Sequence, residues 1–248
     1  MAATGDRSTP TTPAPTDGAP RQRVWIAEFY SSALGKKYAM AITGIIWMAY
    51  VFVHMVGNLK LYQGPEEINA YAEWLRIMAY PALPEEGALW AMRILLAVAL
   101  IIHIHAAAVL TIQNRRARGS KYQTKRDYVA ADFAARTMRW SGVIVGLFIL
   151  FHLADLTFGA TNPDFDHADV YGNMIASFGE PWIAVIYVVA NLALAFHLYH
   201  GAWSLFQTMG WNHPRYNHWR RYFAIAFAVI VGAGNLSFPI AVQLGLVS

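Results

Sequence analysis

The chain has 248 residues, 56% of them hydrophobic and only 14% charged, with a mean hydropathy of +0.32; soluble domains carry about 25% charged residues, so an ordinary soluble domain is excluded. With no cysteine, disulfides, thiolate metal sites and iron–sulfur ligation by this polypeptide are excluded too. The pI near 9.3 comes from basic residues set between apolar runs rather than along one stripe, a mark of membrane topology and not of nucleic-acid binding.

The opening residues, MAATGDRSTPTTPAPTDGAPRQRV, are rich in Thr, Pro, Ala and Gly and have no apolar periodicity. They read as a disordered cytoplasmic tail, taken to residue 28, without the apolar core of a cleaved signal peptide. Residues 29–248 form one membrane domain. Five apolar stretches follow in it, from Tyr38 to Leu59, Ala88 to Gln113, Trp140 to Phe158, Pro181 to Phe206 and Tyr222 to Leu246. Each is long enough to cross about 30 Å of hydrocarbon as a helix. The expected fold is therefore an all-α bundle of five transmembrane helices.

Lys and Arg orient it. The tail before the first span holds five basic residues, the segment 114–139 eight, and 207–221 three. Segment 60–87 holds two and 159–180 none, while those two carry nine of the fifteen acidic groups. The alternation predicts a cytoplasmic N-terminus and an exterior C-terminus. Between the first two spans, YQGPEEINAYAEWLRIMAYPALPEEG alternates acidic and apolar residues, as an amphipathic helix lying on the membrane does. Its Glu66, Glu73 and Glu86 are solvated or serve in proton exchange.

Only Arg93 and Asp155 place a formal charge inside the spans, both in the exterior half. Ionisable groups at that depth face a partner or a wet cavity, although an arginine also snorkels to the interface. Histidines recur in the same greasy runs: VFVHMVGN, LIIHIHAAAV, ILFHLADL and LAFHLYHGAW. At 1.5 Å per residue, His54 and His152 lie roughly 27 and 20 Å from the cytoplasmic edge, whereas His103 and His197 lie roughly 15–17 Å from it. Four helices thus supply two histidine pairs at two depths. Imidazole is a strong iron ligand, and two of them from opposite helices hold a haem edge-on with no open iron position, a geometry suited to electron transfer. Small residues nearby (Gly44, Gly57, Ala106, Ala107 and Gly201) leave room for a flat macrocycle. His105, about 200° around the helix from His103, cannot face the same centre. His200 hydrogen-bonds a haem substituent or a neighbouring helix, and the loop residues His167, His213 and His218 need no special role.

The segments VFVHMVGN, LFILFHL and FHLYHGAWSLFQTMGW, the His103 run leading to TIQNRR, and the entry SSALGKKYAMAITG resemble the membrane-anchor cytochrome b of succinate dehydrogenases and fumarate reductases. The likeness is to the single-polypeptide, five-helix, dihaem type and extends from Phe29 to the C-terminus. It implies His54 and His152 as axial ligands of an outer haem b, and His103 and His197 as those of an inner haem b. It also selects His103 over His105, which packing alone does not decide.

The same resemblance implies a respiratory complex II in a bacterial cytoplasmic (inner) membrane. A flavoprotein subunit there oxidises succinate, an iron–sulfur subunit relays the electrons, and the anchor passes them to a quinone, usually menaquinone. Candidate contacts to haem propionates or quinone are Ser32, Lys36, Arg93, Arg139, Asp155 and His200, with Ser31, Lys37 and Arg136 near the same mouth. A cytochrome b anchor of another respiratory dehydrogenase shares the dihaem logic. A transporter with Arg93 and Asp155 along its pathway is the non-redox alternative, but no inverted pair of broken helices supports it.

Overall fold

A computed structural model describes residues 25–117, 130–211, 213, 215 and 217–248, with residues 130–136 described as backbone only. The tail to residue 24, the basic run 118–129 and the Arg136 side chain lie outside the described residues. Among these, regular structure is entirely helical: α1 (Trp25–Ser31), α2 (Ala33–Asn58, continued by a 3-10 turn to Gln63), α3 (Pro65–Ile77), α4 (Gly87–Arg116), α5 (Ala130–Leu156), α6 (Val170–Gly179), α7 (Pro181–Thr208) and α8 (Asn217–Gln243). Helix α1 already begins at Trp25, so the last four residues of the expected tail are helical.

Five helices are long and apolar enough to cross a membrane: α2 with its 3-10 turn, α4, α5 from Thr137, α7 and α8. Their flanks carry the apolar surface outward. Ile101, Leu147 and Leu150 are each about two-thirds exposed (68%, 64% and 66%). In water each would forgo roughly 1.5–3 kcal/mol of burial, whereas lipid tails solvate them. The chain is a multi-pass membrane protein.

Local chemistry sets the helix starts. Ser32 is the N-cap of α2; its Oγ accepts from the Gly35 N–H at 2.9 Å and donates to the Phe29 carbonyl at 2.7 Å, which satisfies one orphan donor. Gly35 is required there, because a Cβ would sit 1.9 Å from the Phe29 carbonyl oxygen where α1 folds back on α2. Helices α3 and α7 start with Pro at N1, where the missing N–H costs nothing.

Helix α2 packs on α4, α5 on α7, and α2 also meets α7, so these four surround one interior; α8 lies mainly against α7. Gly232 allows that last approach, since a Cβ there would meet the Ala195 methyl at 2.9 Å. The core gathers at one end, where Met55, Leu61, Ile68, Met174, Phe178, Ile183, Tyr187 and Phe238 bury one another.

Helices α3 and α6 cover that end. Asn69 clamps them together: its amide donates to Asp169 Oδ1 at 2.9 Å and accepts from the Tyr171 N–H at 3.1 Å. Asp169 also caps α6 by accepting from the Gly172 N–H at 2.9 Å. That backbone donor first, and the Asn69 amide second, hold the Asp169 carboxyl below the usual carboxylate range.

Candidate functional site

The structure brings the four intramembrane histidines together in two pairs. His54 on α2 faces His152 on α5 with ring centres 5.9 Å apart, and His103 on α4 faces His197 on α7 at 6.3 Å. A metal–imidazole bond is about 2 Å and a ring nitrogen lies roughly 1.1 Å from its ring centre, so two imidazoles flanking one iron put their centres roughly 6 Å apart. Both pairs have that separation.

Three of the four rings are held by a hydroxyl at Nδ1. Thr43 Oγ1 lies 3.1 Å from His103 Nδ1, Ser141 Oγ 3.4 Å from His197 Nδ1, and the Tyr187 hydroxyl 3.2 Å from His152 Nδ1. Thr43 and Ser141 give their own protons to the Ala39 and Met138 carbonyls, at 2.7 and 3.1 Å, so each hydroxyl oxygen accepts from the imidazole. A partner on Nδ1 fixes the tautomer and leaves Nε2 free to ligate. His54 is held differently: the Tyr50 ring stacks on it at 5.4 Å, and the Asn58 amide nitrogen is 3.4 Å from its Nε2.

One internal cavity of about 290 Å³ runs through the bundle, and His54, His103 and His197 all line it. Its walls reach from Lys37 and Thr208 at one end to Phe178 and Phe238 at the other. Trp47 stands in the wall between the two pairs, with its indole Nε1 buried and without an acceptor. An orphaned buried donor is costly and fits a bound group that carries acceptor oxygens. Among the described residues no three His, Cys, Asp or Glu side chains gather to hold a bare ion. Two-histidine sites need a group that brings its own in-plane donors, and a haem does so. The residues present fit that group.

Glycine makes room beside the rings. A Cβ on Gly142 would lie 3.3 Å from His197 Cε1, and one on Gly44 3.6 Å from His103 Cε1; Gly201 borders open cavity. Gly57 serves packing instead, since a Cβ there would strike the Tyr71 ring at 2.8 Å. Ala106 is fully buried.

The other candidate contacts scatter. Ser32 is engaged as a helix cap. Lys36 is buried, with its ammonium donating to the Ser31 and Tyr30 carbonyls at 2.5 and 3.0 Å; it terminates α1, and its neighbour Lys37 lines the cavity instead. Arg139 is exposed. His200 Nε2 meets Thr137 Oγ1 on α5 at 3.2 Å, a partner on a neighbouring helix. His105 points away from the cavity and its Nδ1 lies 2.6 Å from the Tyr30 hydroxyl on α1.

Arg93 and Asp155 do not pair. The Arg93 guanidinium lies over the Trp90 ring at 4.9 Å and, with Arg76, lines a second cavity of about 170 Å³. That cavity shares the walls Leu156, Val170 and Met174 with the first. Asp155 is fully buried and accepts hydrogen bonds from Ser177 Oγ at 2.7 Å, from the Tyr187 hydroxyl at 2.7 Å and from Thr161 Oγ1.

A pattern in the sequence accounts for the symmetry of the site. Met40, Thr43, Gly44 and His54 on α2 recur as Met138, Ser141, Gly142 and His152 on α5, each offset by 98 residues. The equal spacing of 49 residues from His54 to His103 and from His103 to His152 is visible in the sequence. The 98-residue repeat, which identifies Thr43, Ser141 and Gly142 as site residues, needs M-x-x-[TS]-G and the histidine ten residues later to be aligned together. Tyr187 and Trp47 carry no such signal.

Residues 133–234 match the family model described as succinate dehydrogenase/fumarate reductase transmembrane subunit. No curated protein and no solved structure matches the chain significantly. The matched segment takes in almost all of α5 and most of α8, and with them one histidine of each pair. Over that segment the chain is similar to the membrane subunits of succinate dehydrogenase and fumarate reductase complexes.

Proposed function

We propose that the chain is the membrane-anchor cytochrome b subunit of a succinate:quinone oxidoreductase, passing electrons from an iron–sulfur subunit to a quinone, with menaquinone the expected acceptor. The observation that carries this reading is the two histidine pairs at iron-spanning separation, three of whose four rings line one cavity. A haem b on each pair supplies reversible one-electron chemistry when bound. His103 and His197 hold the inner group, and His54 and His152 the outer one. Thr43, Ser141 and Tyr187 orient the imidazoles, while the apolar cavity wall keeps water from them. At the end nearer the inner pair, Lys37 supplies a cation for a carboxylate; nearer the outer pair Arg93 and Arg76 do so. An intramembrane charge such as Arg93 usually pairs with an opposite charge or a backbone carbonyl.

Co-purification tests the reading. A tagged chain should bring down a flavoprotein and an iron–sulfur subunit, show a reduced-minus-oxidised b-type spectrum with about two haems per anchor, and support succinate-dependent quinone reduction. Haem without a succinate-oxidising partner would instead assign it to another respiratory dehydrogenase, and the absence of haem would return it to the transporter class.

A further inference from the structure

Asp155 is fully buried in a membrane-spanning helix, and among the described residues no cation pairs with it; the ion pair found among them joins Lys60 to Glu67. A buried carboxylate has about four lone-pair sites that need donors. Three hydroxyls engage three of them. Ser177 and Thr161 donate to Oδ1, and Tyr187 donates to Oδ2 at 2.7 Å. The proton of Tyr187 is thereby committed to Asp155, so its oxygen faces His152 Nδ1, at 3.2 Å, as an acceptor. We propose that Asp155 is the positioning residue of the His54–His152 pair: through Tyr187 it fixes the ring and tautomer of His152 and gives this pair an anionic anchor that the other pair lacks.

The contrast between the pairs supports the assignment. Behind Thr43 and Ser141 stand backbone carbonyls, which are neutral. Behind Tyr187 stands a carboxylate. An anionic partner one hydroxyl away raises imidazole basicity and favours the more positive state of whatever the ring binds. Helix geometry suits the role: Asp155 follows His152 by three residues on α5, on much of the same face and one turn further along. Tyr187 reaches both from α7, with its ring fixed among Phe148, Phe151 and Phe178 at 5.1, 6.0 and 4.8 Å.

This inference rests on the haem reading, and its test separates the two. Wild-type complex and the variants Asp155→Asn, Asp155→Glu and Tyr187→Phe are purified, their haems counted, and both midpoints titrated potentiometrically. Asp155→Asn and Tyr187→Phe should move the outer haem's midpoint upward, since each removes the anionic anchor that favours the ferric state. The inner midpoint should stay in place, and Asp155→Glu should restore most of the wild-type value. Loss of the outer haem alone in Asp155→Asn, with retention and an upward shift in Tyr187→Phe, supports the same role. An unmoved outer midpoint in Tyr187→Phe with both haems present, or equal shifts at both haems, overturns it. Wild-type complex without haem would overturn the underlying reading, whatever the variants do.

Discussion

Thr43 on α2 holds Nδ1 of His103 on α4 at 3.1 Å, and Ser141, at the same place in α5, stands in the same relation to His197 on α7 at 3.4 Å. The two hydroxyls approach one histidine pair from opposite sides of the bundle. Such outer partners fix ring orientation and cost 10–100-fold in affinity when removed from a metal site.

Ligand removal is the first test of the pairing. His103→Ala and His197→Ala should each remove the inner haem, and His54→Ala and His152→Ala the outer one. Pyridine haemochrome quantitation should fall from about two haems to about one per anchor, since a bis-histidine haem keeps no spare protein ligand. Retention of both haems in His152→Ala would break the pairing with His54.

His105 offers a control two residues from His103. Its ring bonds the Tyr30 hydroxyl and stacks on the Tyr30 ring with centres 5.8 Å apart. His105→Phe should therefore leave both haem spectra intact and weaken the hold on α1 by about 1 kcal/mol, the usual worth of a hydrogen bond. Faster amide exchange over residues 25–31 would report it. Loss of the inner haem here, with His103→Phe silent, would exchange the roles of the two histidines.

Arg93 is near enough to the Tyr50 hydroxyl to act on it through space, and Tyr50 stacks on His54. Removing a nearby positive charge disfavours the electron-richer ferrous state. Arg93→Leu should lower the outer midpoint by on the order of 1 kcal/mol, roughly 40 mV for one electron, and move the inner one much less. An outer midpoint equal to wild type, with both haems bound, would make Arg93 a topology residue.

Asp169 tests the cap at the α3–α6 end. Asp169→Ala should cost about 1 kcal/mol of local stability through the lost cap. The depressed carboxyl means that its contribution is present above the ordinary aspartate range and disappears as pH falls through the lower, folded-state value. Exchange of the α6 amides in detergent between pH 6 and pH 3 should show this acid-side loss in wild type and not in the variant. The same acid dependence in both proteins would remove Asp169 as its source.

Much of the bundle was legible because a bilayer admits few solutions. Long apolar runs broken by basic segments specify five helices, and counting residues from those breaks places each histidine by depth. Rotation about a helix axis was less legible. Lys36 and Lys37 are neighbours in sequence, yet one ends in the carbonyls of α1 and the other in the cavity. Arg93 and Asp155 share a depth and were natural partners on that count. Instead Asp155 is turned toward Tyr187, 32 residues on in a different helix, and Arg93 toward Trp90 and Arg76 at a separate cavity. Such choices depend on the azimuth of side chains across helix interfaces, and low overall amphipathicity leaves little in the sequence to specify it. Gly57 illustrates the same limit: only the position of Tyr71 reveals that its missing side chain is a packing feature.

Each histidine pair takes one ring from α2 or α4 and the other from α5 or α7. During synthesis His54 and His103 therefore enter the bilayer with no mate. His103 waits for His197, 94 residues later, which at ribosomal speeds of about 5–20 residues per second is a delay of roughly 5–20 s. The His54–His152 pair is complete once α5 has been made, and the His103–His197 pair only with α7, so closure of the second pair belongs to the last stage of biogenesis. A nascent chain stalled after α4 would expose two solitary imidazoles to lipid and hold no haem at all.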